Sequence, residues 1–198
     1  MKVGSGGYND PQDLRRELRF TGKEFNDVDL QSKLEQAQRK VDMNVGSVMT
    51  EGLFVYNHDV LEFNLNFRQI IQVDEVRLLN RRRFRVDETV IPEGLYELDK
   101  DKGRIVFDEE VVKRFEVYGA GERRDQSVFV VDYVPYMFAD LELKYAVLDV
   151  VNISVVQTSE TQLDSIVSNL REQVNELESD LLLEVSNNGF SKVDYYPR

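Results

Sequence analysis

The spacing of apolar residues changes period twice along this chain, and the two changes divide it into three. Between residues 27 and 46 the apolar positions Leu30, Leu34, Ala37, Val41 and Val45 recur every three or four residues, which gathers them on one face of a helix. Asn26 or Asp27 stands where a cap is needed, acids fill the first turn, and Gly46 supplies the stop. Upstream, "NDPQDLRRELRF" predicts a short helix with Asn9 or Asp10 as cap, Pro11 at the first helical position, and Leu14 and Leu18 on one face.

From about Met49 to Val134 the period falls to two. In "LEFNLNF", Leu61, Phe63, Leu65 and Phe67 alternate with Glu62, Asn64 and Asn66, the pattern of a strand with one buried face. "RQIIQVDEVRLLN" continues in β-forming residues, and "LYELDKDKGRIVFD" predicts a hairpin whose Asp/Lys turn ends in Gly103. "VYGAGERRDQ" has loop composition, whereas "SVFVVDYV" is apolar enough for a buried strand. Five to seven strands are expected here.

After Pro135 the helical period returns. "FADLELKYAVLDVVNISVVQ" is apolar on most of its circumference, as in a helix packed on several sides. Ser159 can cap a long acidic helix from Glu160 to Val185, striped by Leu163, Ile166, Val167, Leu170, Val174, Leu177 and Leu181. The expected fold is therefore α+β: a helical bundle formed by the N- and C-terminal segments, residues 1–48 and 135–187, with a β-rich subdomain inserted at 49–134 and an extended tail at 188–198. Packing within the bundle or between subunits would fall to Leu30, Leu34, Ala37, Val41, Leu163, Ile166, Leu170, Val174, Leu177 and Leu181.

Composition narrows the function more than the fold. With 25 Lys and Arg against 37 Asp and Glu, the net charge of −12 opposes nucleic-acid binding over most of the surface. Adaptation to a salt-rich cytoplasm is a second reading of the same surplus. The absence of cysteine removes disulfides, thiol catalysis and thiolate metal sites, and the lone His58 leaves no histidine cluster and no base for a serine. No apolar run reaches the ~18 residues of a membrane span, and "MKVGSGGYNDPQD" has no apolar signal region, so no membrane association is expected and the chain is expected to stay in the compartment where it is made. The acids Asp27 and Asp29, and Asp108, Glu109 and Glu110, are explained by helix starts and turns. No cofactor or metal is implied, and the chain reads as a non-enzyme.

Two surface features remain. "RRRFR" places Arg81, Arg82, Arg83, Phe84 and Arg85 together in an acidic background. Either the side chains alternate across a strand and pair with acids such as Asp87 and Glu88, or they contact phosphate or an acidic protein surface. The tail "FSKVDYYPR" is richer in Phe190, Val193, Tyr195 and Tyr196 than a solvated terminus requires, which suits a segment that orders on docking.

"YNDPQDLRRELRFTGKEFNDVDLQSKLEQAQRKVDMNVG", with Asp27, Leu30, Leu34, Ala37, Val41 and Gly46 in register, resembles the opening of the head–tail connector (adaptor) proteins of tailed bacteriophages and related archaeal tailed viruses. The hairpin "YELDKDKGRIVF" and the helical return after "VDYVPYMFADLELKYAVLDVV" are similar as well. The resemblance covers the two helical ends, and the β segment is larger than in the simplest members. It implies a structural protein of the virion neck, made in the host cytoplasm and assembled as a homo-oligomeric dodecamer ring under the portal protein. Such a ring joins the portal to a stopper or tail protein, and genomic DNA passes through its lumen without sequence specificity. The family's C-terminal segment docks on the portal, which here assigns that role to Phe190, Val193, Tyr195, Tyr196 and Arg198. A different neck or tail-completion protein and an acidic host-side protein-binding module are the alternatives.

Overall fold

The computed structural model describes residues 8–21, 25–56, 61–82, 85–119, 126–155 and 161–187. Among them are five α-helices and seven strands, an α+β fold. The chain divides into two compact units, Met1–Ser47 with Met137–Leu183, and Val48–Tyr136 with Glu184–Arg198.

In the helical unit, α1 (Pro11–Glu17) starts at Asp10, whose carboxylate accepts from the Gln12 and Asp13 amides while Asp13 accepts from the Asp10 amide. This reciprocal box satisfies donors that a helix start otherwise leaves orphaned. A 3-10 turn, Leu18–Thr21, follows. Next, α2 (Asp27–Asn44) is capped by the Asn26 side chain, which accepts from the Asp29 amide at 2.8 Å. Leu30, Leu34, Ala37 and Val41 are all buried, and each Leu or Val side chain so placed contributes roughly 1.5–3 kcal/mol. The stripe's last member, Val45, is only half-buried because α2 has already ended.

The helix α4 (Tyr136–Val155) buries Phe138, Leu141, Tyr145, Ala146, Val150 and Val151, most of its circumference. Polar clamps tie it to α2: Lys40 Nζ is 2.7 Å from both Asp149 carboxylate oxygens, and Asn44 Nδ2 donates to the Tyr145 hydroxyl at 2.8 Å. The long helix α5 (Thr161–Asn187) joins through Asn44 Nδ2 to Glu178 Oε1 at 2.8 Å and Lys144 Nζ to Gln173 Oε1 at 3.2 Å. Its deepest residues, Val167, Val174 and Leu181, are spaced by seven, while Ile166, Leu170 and Leu177 are half-buried. The proposed cap Ser159 and the side chain of Leu163 lie outside the described residues.

The β unit holds two antiparallel sheets. Strands β1 (Met49–Phe54), β7 (Gln126–Pro135), β3 (Ile70–Arg82) and β4 (Arg85–Val90) form one in that order, and β2 (Glu62–Asn64), β6 (Arg104–Phe107) and β5 (Tyr96–Asp99) form the other. The register opposes Val131 with Glu51 and Val76, and Phe129 with Leu53 and Leu78, so these residues share one face of the larger sheet. Phe129 on that face stacks on Phe107 at 3.9 Å between centroids and meets the edge of Phe63 at 5.9 Å. The two sheets thus share an aromatic core.

Three expectations change in this unit. The strand expected over 61–67 pairs only at Glu62–Asn64. Leu61, Leu65 and Phe67 are nonetheless buried, and the Leu65 amide leaves the ladder for the Gly103 carbonyl at 2.7 Å. A seven-residue helix, α3 (Glu109–Phe115), interrupts what the sequence presents as continuous β structure, with the Asp108 carboxylate accepting from the Glu110 amide at 2.7 Å. Finally, the strand ending near Asn80 extends through Arg82, so the arginines belong partly to the sheet.

The turn at Gly103 combines φ 62° with a position where an added Cβ would lie 2.1 Å from the Phe67 carbonyl oxygen. Backbone cannot move aside cheaply there. Gly103→Ala is expected to lower stability by about 2–3 kcal/mol in urea unfolding, and a shift below about 0.5 kcal/mol would show that this turn is not held as described.

Candidate interaction surfaces

The arginine-rich hairpin is built by register. Arg82 pairs with Arg85 and Arg81 with Val86 across β3 and β4, and side chains alternate between the faces of a strand. Arg81 and Arg85 therefore belong to opposite faces. The Arg85 guanidinium pairs with Asp87, two residues along the same face. Arg81 is exposed and makes no ion pair among the described residues. Arg83, Phe84 and the side chain of Arg82 lie outside the described residues. Arg81 and Arg85, the two whose side chains are described, thus do not share one patch.

The second acid expected to neutralise the cluster, Glu88, is engaged elsewhere. It accepts from Arg77 Nη1 at 2.8 Å, and the same guanidinium donates from Nη2 to Asp132 Oδ2 at 2.6 Å and lies 3.2 Å from Glu75 through Nε. Thr50 Oγ1 completes the row by donating to Asp132 Oδ1 at 2.6 Å. Arg77 thereby links β3, β4 and β7 across a sheet face, and Thr50 ties β1 to the row through Asp132. Burial alone would lower the Arg77 pKa, but Glu88, Asp132 and Glu75 outweigh it and hold it above its ordinary value.

On the opposite face of this sheet, buried polar groups are matched pairwise. Tyr133 donates its hydroxyl to Glu51 Oε2 at 2.9 Å, and the Asn66 amide donates to the same oxygen at 3.0 Å. Asn80 accepts from the Ser127 hydroxyl and donates to the carbonyls of Phe115 and Glu116, each at 3.2 Å, which fastens the end of α3 to the sheet.

Further along the chain, α5 carries Glu172, Glu176 and Asp180 at intervals of four, an exposed acidic row away from its buried stripe. Past Leu181 the same helix exposes Leu182 and Leu183 at 46% and 57%. The acids singled out as potential chemistry have local roles: Asp27 pairs with Arg15, Asp29 receives the Asn26 cap, Asp108 caps α3, and Glu109 lies 3.7 Å from Lys113. Among the described residues no three metal-ligating side chains cluster. His58 and the tail residues Phe190, Val193, Tyr195, Tyr196 and Arg198 lie outside the described residues.

The chain matches no protein-family model and no curated protein.

Arg77 is a structural arginine and Arg81 a surface one, and stability separates them. Arg77→Leu strands Asp132, whose side chain is only 16% exposed, and is expected to cost about 2–4 kcal/mol in chemical denaturation. Arg81→Ser is expected to stay within about 0.5 kcal/mol of the parent. Equal losses would contradict this division.

Proposed function

We propose that this chain is a structural subunit of a viral neck, a head–tail connector that self-associates into a ring beneath a portal and passes DNA through an acidic lumen. The observation that carries this reading is the helical unit assembled from both ends of the chain. Its α2 buries Leu30, Leu34, Ala37 and Val41, the residues on which the family resemblance rests. Half-buried Leu170 and Leu177, with Leu182 and Leu183 exposed beyond them, leave apolar surface on α5 for a neighbouring subunit. The net charge of −12 removes the phosphate affinity that would hold DNA in a lumen.

In this reading the free Arg81 and its neighbours make a short-range protein contact, since salt screens an isolated basic spot beyond about 8–10 Å. The tail from Ser191 supplies the portal anchor. Another neck or tail-completion protein would share these features and differ in not binding the portal directly. The acidic row Glu172, Glu176 and Asp180 favours one further reading, a small acidic module that captures a basic partner and forms no ring.

Light scattering of the purified protein, alone and with a portal-type ring, is expected to show a large closed assembly in at least one condition. A persistent monomer or dimer that ignores the ring would leave the acidic module as the better account. Serine at Arg81, Arg82, Arg83 and Arg85 is expected to reduce assembly more than DNA mobility shift, and the opposite order would assign the arginines to DNA. Deletion from Ser191 is expected to leave the circular dichroism unchanged and to weaken portal pull-down; undiminished pull-down would remove the tail from the interface.

A further inference from the structure

Among the polar groups of the helical unit, Glu142 stands out. It lies on α4 among Phe138, Leu141, Tyr145 and Ala146, and none of its surface is exposed. Its Oε2 accepts from the Asn9 amide at 2.9 Å and from Asn9 Nδ2 at 2.7 Å, while Nδ2 also donates to the Ala139 carbonyl at 2.7 Å. Tyr8 packs its ring 6.1 Å from that of Phe138 and directs its hydroxyl to the Ser47 carbonyl at 3.5 Å. The chain just before α1 is therefore clasped onto α4 by one buried carboxyl group. Its other oxygen, Oε1, is buried with no hydrogen-bond partner.

That asymmetry has a chemical meaning. An ionised carboxylate would leave half its charge on an oxygen that nothing solvates, whereas a neutral carboxyl places its proton on Oε1 and keeps Oε2 as acceptor for Asn9. Among the described residues no cation compensates. Asp42 of α2 acts on Glu142 with like charge; Asp10 and Asp13 are committed to the α1 box; Lys40 is held by Asp149, and Lys144 lies 3.6 Å from Asp140. Relief on ionisation must come from water, and the described segment bonded over the carboxyl is Tyr8–Asn9.

We propose that Tyr8 and Asn9 form a proton-operated clasp, closed on α4 while Glu142 carries a proton at Oε1 and lifting as that proton is lost. Burial, with Asp42 adding to it, pushes the Glu142 pKa from 4.5 up to about 7, although the bonds from Asn9 and from the Tyr8 backbone amide oppose the shift. The closed form thus binds a proton that the solvated carboxylate releases. Closure is fully favoured below about pH 4.5 and progressively lost as pH rises toward about 7, and the change falls within the range that cells cross. The clasp is a property of the helical unit and does not depend on ring assembly.

Hydrogen exchange on the full chain tests this, with rates normalised to intrinsic exchange. Protection of the Asn9 amide is expected to fall by up to about tenfold per pH unit between about pH 5 and 7, and the carboxyl carbon of Glu142 is expected to titrate over the same interval. In Glu142→Gln, which keeps an acceptor for Asn9 and cannot ionise, normalised protection is expected to be flat. The proposal is overturned by a Glu142 midpoint near 4.5, by protection that ignores pH in the parent, or by an equal slope in the variant. Should the variant not fold, coincidence of the two parent titrations supports the clasp, and their separation refutes it.

Discussion

Everything in the β unit is arranged around the need to bury β7 on both faces. Its residues Val128 to Val131 are all nearly inaccessible, so a single sheet with one wet side could not house it. Pairing with β1 and β3 satisfies its backbone on both edges. One face is then closed by the smaller sheet, where Phe129 meets Phe63 and Phe107, and Leu79 joins Val128 and Val130 in an apolar cluster on the other. The polar residues that interrupt β7 are matched: Ser127 with Asn80, Asp132 with Thr50 and Arg77. A strand this apolar would be an aggregation hazard if it were an edge, and its central place removes that exposure.

The helical unit answers the same problem differently. There α4 is apolar around most of its circumference and is covered by several neighbours, yet it carries one carboxyl at its most enclosed position. Replacing such a group by a hydrophobe of similar size often stabilises a protein, so its presence costs stability unless it specifies something. What Glu142 specifies is the placement of the chain before α1, because no apolar residue could accept two donors from Asn9 at once. Lys40 with Asp149 and Asn44 with Tyr145 fix how α2 lies against α4 in the same way, through polar groups that fit at one register only.

Features set by local periodicity were legible in the sequence. The α2 stripe, its cap at Asn26 or Asp27, the α1 cap at Asn9 or Asp10 and the hairpin closing at Gly103 each depend on residues within a few positions of one another, and the structure selects Asn26 and Asp10. Alternation proved a guide to burial and a poor guide to pairing. Leu61, Leu65 and Phe67 are buried as their spacing implies, but backbone partners come from distant chain, and the Leu65 amide finds the Gly103 carbonyl before it can extend β2. The helix α3 is too short to show a helical period, and its leading acids suited a turn equally well. Glu142 and Arg77 left no mark in the sequence, because their character comes from groups on other elements.

The same reasoning changes what the arginine cluster can be. Four cations within five residues suggest one dense positive patch, but a strand sends successive side chains to opposite faces, so Arg81 and Arg85 are parted by the sheet. Arg85 is then neutralised locally by Asp87, and Arg77 draws Glu88 away from the hairpin. The described free charge reduces to Arg81, on the face that also carries the Arg77 row. A long phosphate backbone is held by many cations acting together, with affinity growing as each one displaces counterions. Arg81 by itself does not do that, whereas it can donate two parallel hydrogen bonds to a single carboxylate. Of the described side chains, Arg81 therefore suits a single carboxylate better than a length of phosphate backbone.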